Sequence, residues 1–241
     1  TGMTEAPDDG SEVPDDWDNK VGWNNDSPKR INILKISNLG LSGTLNLSGL
    51  EKLLVLACHN NNLTGLNLSD LPALTDIVCA KNDLTGTLDL TNLTNLRSLM
   101  ANENKLGFID VSNLASFKYL YCYDNELTGF DASGTDLTAL RCRNNLLTEL
   151  DVSGFASLKS LVCSGNLLTS VKLNPDAPYS SGIDVRNNYL PGESAVSGKD
   201  GIIWDDGDPV KYRFNPQYLR ITYDANGGSG TMNPNPPAAY I

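Results

Sequence analysis

Residues 114–133 read LASFKYLYCYDNELTGFDAS. Leu120 and Cys122 are two positions apart, so in an extended segment both point to one face. Leu127 and Phe130 come after a turn and must fold back over that face. The grammar L-x-x-L-x-x-L-x-C-x-x-N-x-L recurs at 71–92 (LPALTDIVCAKNDLTGTLDLTN) and 155–174 (FASLKSLVCSGNLLTSVKLN). One column, two residues after the strand leucine, holds Ile36, Cys58, Cys79, Ala101, Cys122, Cys142, Cys163 and Val185. The steps between them are 22, 21, 22, 21, 20, 21 and 22 residues. Eight coils exceed the roughly three that such arrays need for stability. Each coil exposes an apolar edge that only the next coil can cover. The spacing therefore predicts a solenoid with one parallel strand per coil.

Over about residues 31–190, the spacing L-x-x-L-x-L-x-x-N-x-L resembles the leucine-rich-repeat family. Seven successive repeats keep the Leu, Cys-or-small and Asn positions in phase. The resemblance implies an α/β-type leucine-rich repeat solenoid, mostly parallel β with little helix. It would have eight coils of 20–22 residues and be curved, with N- and C-terminal caps. Residues 29–190 would hold the solenoid with its N-terminal cap.

Asn61, Asn82, Asn104, Asn125, Asn145, Asn166 and Asn188 form a second column. They follow the strand, where the chain turns and backbone groups lose their sheet partners. An amide both donates and accepts, so it can satisfy such groups in its own coil and the next. An inward asparagine ladder is the expected reading, against a polar binding stripe. Leu39 takes this place in the first coil, as suits an end repeat. The five cysteines, Cys58, Cys79, Cys122, Cys142 and Cys163, all sit in the inward column. Parallel neighbours hold their Cβ atoms about 4.8 Å apart, beyond the ~3.8 Å of a disulfide. No C-x-x-C pair suggests zinc. Free buried thiols, acting as small hydrophobes, are expected.

Residues 1–28 carry eight acids and one base, with little apolar content. Such a stretch cannot bury enough surface to fold alone and reads as an acidic linker or tether. Trp17 and Trp23 precede the first coil, and Trp23 is the candidate lid on its open end. After Leu190 the grammar stops at Pro191-Gly192. Residues 191–219 are expected to form a short β-type C-terminal cap, with Trp204 and the alternating Val210, Tyr212 and Phe214. Asp205, Asp206 and Asp208 lack EF-hand spacing, so a turn is preferred to a Ca²⁺ site.

Two C-terminal stretches add resemblances. ITYDANGGSGTMNPNP at 221–236 resembles the opening of the Listeria–Bacteroides repeat, a small β module that follows leucine-rich arrays in bacterial surface proteins. Residues 220–241 would be its truncated start. Phe214-Asn215-Pro216-Gln217 resembles the junction in internalin-like bacterial proteins. Together they imply an internalin-like or Bacteroides-type leucine-rich-repeat protein. It would be secreted and held on the cell surface by an anchor outside this sequence, with the acidic stretch as tether.

Composition narrows the function. The 241 residues are 40% hydrophobic, and 29 acids against 18 bases give a net charge of −11. That apolar fraction excludes a disordered chain. No apolar run of about 18 residues is present to insert in a membrane. The acidity argues against nucleic acid as a partner. His59 is the only histidine, no G-x-S-x-G elbow exists, and the Gly-rich 226–230 stretch lacks the Lys-Ser/Thr of a phosphate loop. A non-enzymatic chain, with no cofactor and no metal, is expected.

Within each x-L-x-L-x strand the x positions face outward on the inner curve, the surface that solenoids use to bind. Tyr119, Tyr121 and Tyr123 share one strand. Met100 and Asn102 lie on one side of it, and Arg141 with Arg143 on the other. Arg186 sits further along the same face. Tyr and Arg dominate interface hot spots, and the patch is locally basic within an acidic chain. Against this, strands favour tyrosine anyway, and neighbouring Tyr and Arg simply stack. The candidate ligand-binding residues are Met100, Asn102, Tyr119, Tyr121, Tyr123, Arg141, Arg143 and Arg186. The resemblance implies a protein partner on the concave face, in adhesion or host interaction. Stacked tyrosines could equally line a sugar site, so a glycan-binding module is the alternative. A monomer is expected.

Overall fold

One short strand per coil stacks in parallel in the computed structural model, which describes residues 19–26, 29–205, 212–215, 217–218, 223–225 and 228–230. Ile31–Lys35, Val55–Ala57, Asp76–Val78, Ser98–Met100, Tyr119–Tyr121, Ala139–Arg141, Ser160–Val162 and Ile183–Asp184 are neighbours in that order. Their register aligns Leu34, Leu56, Ile77, Leu99, Leu120, Leu140, Leu161 and Ile183. All eight are buried, and so is the whole column from Ile36 and Cys58 to Val185. Fully burying one such aliphatic side chain stabilises by about 1.5–3 kcal/mol, and here it can only be done by the adjacent coil. The expected parallel solenoid is thus what the chain forms. Helix is nearly absent: the helical element among the described residues is a single 3₁₀ turn, Glu193–Ala195.

The L-x-x-L element makes the far corner of each coil. Leu74 N–H donates to Leu71 O at 3.1 Å, Leu96 to Leu93 at 2.8 Å and Phe117 to Leu114 at 2.9 Å. A turn closed between residues three apart puts both side chains inward, and all six are buried. After the ladder asparagine a second layer of short strands runs along the coils. It is divided into three parallel sheets: Ser42–Asn46 with Asn62–Asn67; Thr85–Asp89, Lys105–Asp110 and Gly129–Asp131; Glu149–Asp151, Ser170–Lys172 and Val196–Ser197. Each strand of this layer up to Glu149–Asp151 ends on an Asn or Asp. Its side chain accepts the N–H two residues on, as in Ser112 to Asp110 (2.9 Å) and Ser133 to Asp131 (2.8 Å). These Asx turns end the strands.

The asparagine column is an inward ladder, with one difference from expectation. Asn145 Nδ2 donates to Cys142 O of its own coil and to Cys122 O of the preceding coil, both at 3.0 Å. Its Oδ1 accepts from Leu127 N at 2.9 Å. The same triad recurs at Asn82, Asn104, Asn125, Asn166 and Asn188. Each asparagine therefore bridges backward to the previous coil, not forward to the next.

At the N-terminal end Val21–Trp23 pairs antiparallel with Ile31–Lys35, and Trp23 is half-buried there. At the other end Tyr212–Arg213 adds in parallel to Ile183–Asp184. Gln217 takes the ladder's place in this last turn. Its Nε2 donates to Phe214 O and, at 3.1 Å, to Val185 O. Its Oε1 accepts from Asn188 N at 3.1 Å. The segment read as a cap thus contributes a ninth, longer coil, with Phe214 buried in the inward column. Trp204 packs on Phe214 and Tyr212, with ring centroids 5.4 and 6.3 Å apart. Tyr223–Ala225 and Gly228–Gly230 pair antiparallel. Trp17, the acidic stretch up to residue 18, Asp206, Asp208 and Val210 lie outside the described residues. Among the described residues no helix is long and apolar enough to cross a membrane.

Candidate functional site

The long sheet has one face turned inward and one free. On the free face, register stacks Met100, Tyr121 and Arg141 side by side, with Ser98, Tyr119 and Ala139 one step earlier on the same strands. Strands in such a sheet lie about 4.8 Å apart, so neighbouring side chains touch. The guanidinium of Arg141 lies over the Tyr121 ring, 5.1 Å from its centroid. Arg143 lies over Tyr123 at 4.7 Å. Both are within the ~6 Å at which a cation feels the ring's negative face. Tyr119 stands 41% exposed beside the small Ala139. Met100, Tyr121 and Tyr123 are half-buried, and Arg141 and Arg143 are exposed.

Arg143 and Arg141 differ in their partners. Arg143 Nη2 reaches Asp124 Oδ2 at 3.2 Å. Asp124 also accepts from Asn144 Nδ2 at 2.6 Å. Arg141 makes no ion pair among the described residues, so its forked donors face outward. The fold thus gathers Met100, Tyr119, Tyr121, Tyr123, Arg141 and Arg143 into one patch. Two expected members do not join it. Asn102 is only 7% exposed, and its Nδ2 is turned to Glu103 Oε1 at 3.2 Å. This corrects the expected site: Asn102 shares its column with Tyr123 and Arg143 but is buried and does not reach the free surface. Arg186 stands three coils beyond Tyr123, past Arg143 and Ser164. It is held on its own strand by Asp184, with Nε to Oδ1 at 2.9 Å and Nη2 to Oδ2 at 2.8 Å. Arg213 approaches the same carboxylate at 3.9 Å.

One residue of the patch was missed by sequence reasoning: Asp124. It sits in a column just before each ladder position (Leu39 in the first coil, asparagine in the rest), occupied by Asn38, Asn60, Lys81, Glu103, Asp124, Asn144, Gly165 and Asn187. All eight have left-handed backbone, with φ between 53° and 69°. The bend they make precedes the residues whose amides turn inward to form the ladder. The frequency of Asn and Gly in that column was the available signal.

On the inward side of the long sheet, the five cysteines are free and buried, Cys122 and Cys142 in the coils of the patch itself. Burial pushes the Cys58 and Cys142 thiols up to about 12, and the Cys79, Cys122 and Cys163 thiols well above their ordinary value. They are packing groups and not nucleophiles at neutral pH. Among the described residues no cluster of His, Cys, Asp and Glu is arranged to hold a metal ion.

No protein-family profile and no curated protein matches the chain in sequence. Solved structures with a similar shape include YopM from Yersinia enterocolitica, at 22% identity and a TM-score of 0.35, covering 78% of this chain and 56% of that one. The functional domain of InlJ from Listeria monocytogenes, which includes a cysteine ladder, is 21% identical with a TM-score of 0.36, covering 76% and 53%. The plant peptide hormone receptor RGFR1, solved in complex with RGF2, is 17% identical with a TM-score of 0.39, covering 66% and 40%. The chain spans little more than half the length of the first two. On its own strand register, leucine columns and asparagine ladder, the chain has the leucine-rich-repeat solenoid fold.

Proposed function

We propose that this chain is a non-enzymatic binding scaffold. The free face of its long sheet, centred on Tyr119, Tyr121, Tyr123, Arg141 and Arg143, engages a partner protein. The observation that supports this most is Arg141. It is stacked on Tyr121, exposed, and without a carboxylate of its own. A rigid aromatic base under a charge with unused donors is the make-up of an interface anchor. Arg186, by contrast, already spends its fork on Asp184. The family resemblance adds the setting: a protein displayed outside the cell, in adhesion or contact with a host. The three tyrosines also support a second reading, a glycan site, because sugar rings stack on exposed aromatic faces.

Two measurements test the proposal. A glycan array and a cell-surface protein display screen, both probed with the 241-residue chain, separate the two partner classes. Against whichever partner is found, the double substitution Tyr121→Ala with Arg141→Ala should cost at least ~2 kcal/mol of binding, about thirtyfold. Binding unchanged in that variant would move the interface off this face. For the setting, the gene upstream of this segment should encode an export signal, and surface labelling of the native cells should reach the protein.

A further inference from the structure

In the second layer of strands, Gly129–Asp131 ends one small sheet and Glu149–Asp151 begins the next, with no pairing between them. Most consecutive coils are tied at this level by one backbone bond. Leu90 donates to Asp110 O at 3.1 Å, Val111 to Asp131 O at 2.8 Å and Val152 to Lys172 O at 2.8 Å. The corresponding bond from Ala132 N–H to Asp151 O is missing. The coil from Cys122 to Cys142 is also the shortest, at 20 residues. Thr135 fills the corner that Leu114 holds one coil earlier and Phe155 one coil later, and its hydroxyl donates to Ala132 O at 2.7 Å. The layer breaks in the same way between Leu68 and Asp89, but between the strands of Gly129–Asp131 and Glu149–Asp151 an open cavity of about 430 Å³ lies along the break.

Phe130, Leu147 and Phe155 line this cavity, and Asp131, Glu149 and Asp151 bring carboxylates to it. Asp131 is occupied by Ser133 N–H at 2.8 Å. Asp151 is occupied by Ser153 N–H at 2.8 Å and by Lys172 at 3.2 Å. Glu149 is exposed and makes no ion pair among the described residues.

We propose that this cavity binds an extended, arginine-bearing segment of a partner polypeptide. The volume falls in the range of ligand sites, roughly 300–1,000 Å³. Ala132 N–H and Asp151 C=O are the two sides of an unmade ladder rung, and a peptide's own backbone groups complete it, as in strand addition. The apolar lining takes the methylene stem of an arginine. Glu149 takes the planar guanidinium, which pairs with a carboxylate through two parallel N–H bonds. Three carboxylates against one lysine select a cation over an anion. The site is separate from the free face of the long sheet and stands without that reading.

The test uses the full chain, labelled with ¹⁵N, titrated with the peptides acetyl-Val-Arg-Val-amide, acetyl-Val-norleucine-Val-amide and acetyl-Val-Glu-Val-amide. The arginine peptide should give saturable amide shifts at Gly129, Ala132 and Gly154. The other two should bind about tenfold more weakly or worse. Glu149→Gln should weaken the arginine peptide about tenfold. Gly154→Trp should abolish the shifts without lowering Tm, because an added Cβ there meets nothing within 4 Å and the backbone is not left-handed. Arg141→Ala should leave this binding unchanged. The proposal fails if no saturable shift reaches those amides, or if the three peptides bind alike. It also fails if Glu149→Gln or Gly154→Trp binds as well as the parent, or if Arg141→Ala removes the effect.

Discussion

Asn166 shows what a single ladder side chain carries. It is 1% exposed, donates to Cys142 O and Cys163 O at 3.0 Å, and accepts from Leu147 N at 3.1 Å. Asn166→Ala strands the buried Leu147 N–H away from water, while Cys142 O keeps Asn145 and Cys163 O keeps Asn188. One unsatisfied buried donor costs about 1–3 kcal/mol, and two further ladder bonds are lost, so a loss of about 2–3 kcal/mol is expected. It reads as a lower urea midpoint at unchanged m-value. Tyr121→Ala gives up only an exposed stacking contact, about 0.5–1 kcal/mol. Equal losses would mean the strand faces are assigned the wrong way round. The inward columns were legible in the sequence because Leu and Asn repeat in phase. The ladder's direction was not, because an amide is equally able to reach a carbonyl on either side. The left-handed column was obscured by its chemistry, since Lys81, Glu103 and Asp124 share it with asparagines. Gly165 is its cleanest case. Its φ is +69°, and an added Cβ would run into Asn144 Oδ1. Gly165→Ala should therefore cost about 1–2 kcal/mol, measured by the same denaturation, whereas Gly154→Ala should be near neutral.

Among the elements, the strands of the long sheet are uniform and those of the second layer are not. The repeat predicted the first because a buried leucine fixes each strand's facing and register. It did not predict the breaks in the second layer. A one-residue deletion shows in the count as a step of 20, but sequence does not say which corner absorbs it. Here it falls at the Thr135 corner; the rung at Ala132 is absent, as is the one between Leu68 and Asp89 in coils of ordinary length. Hydrogen exchange should find that out directly. The Ala132 amide should exchange at least about tenfold faster than those of Val111 and Val152, whose bonds are both 2.8 Å. Matching protection at all three would close the gap and remove the cavity with it. The ninth coil was hidden for a related reason. Its inward residue, Phe214, comes 29 residues after Val185, and a glutamine replaces the asparagine. The longer side chain of Gln217 reaches the same carbonyl, so the ladder ends satisfied without the repeat's spacing. At the candidate site the tyrosine strand and its arginines were legible as columns. The exclusion of Asn102 and the capture of Arg186 by Asp184 depend on local bends and ion pairing that a column cannot show.

For the whole molecule, repetition turns small group effects into a pH profile with two different edges. At the acid end, Asp89, Asp131 and Asp151 are held below the ordinary carboxylate range by hydrogen bonds from Thr91, Ser133 and Ser153 in their Asx turns. The unfolded chain then binds more protons than the folded one, so this stability is present above about pH 4 and is lost as pH falls through the folded values. The carboxylates are solvent-exposed, so the acid edge should be shallow. At the alkaline end the sign reverses. The five thiols are raised by burial, Cys58 and Cys142 to about 12. In the unfolded chain they ionise near pH 8.5. The folded chain now binds more protons, so stability present below about pH 8.5 is lost above it, at roughly 1 kcal/mol per thiol per pH unit. Five thiols acting together should make that edge steep. Urea midpoints across pH 3–10 should show it, and Cys142→Ala, compared at each pH with its own neutral value, should flatten the alkaline slope by about one fifth. At pH 8 a disulfide reagent should find no reactive thiol in the native chain and five in urea. Reaction in the native state, or an alkaline slope indifferent to Cys142→Ala, would mean that the cysteine column is open to solvent, and the inward packing of the coils would have to be redrawn.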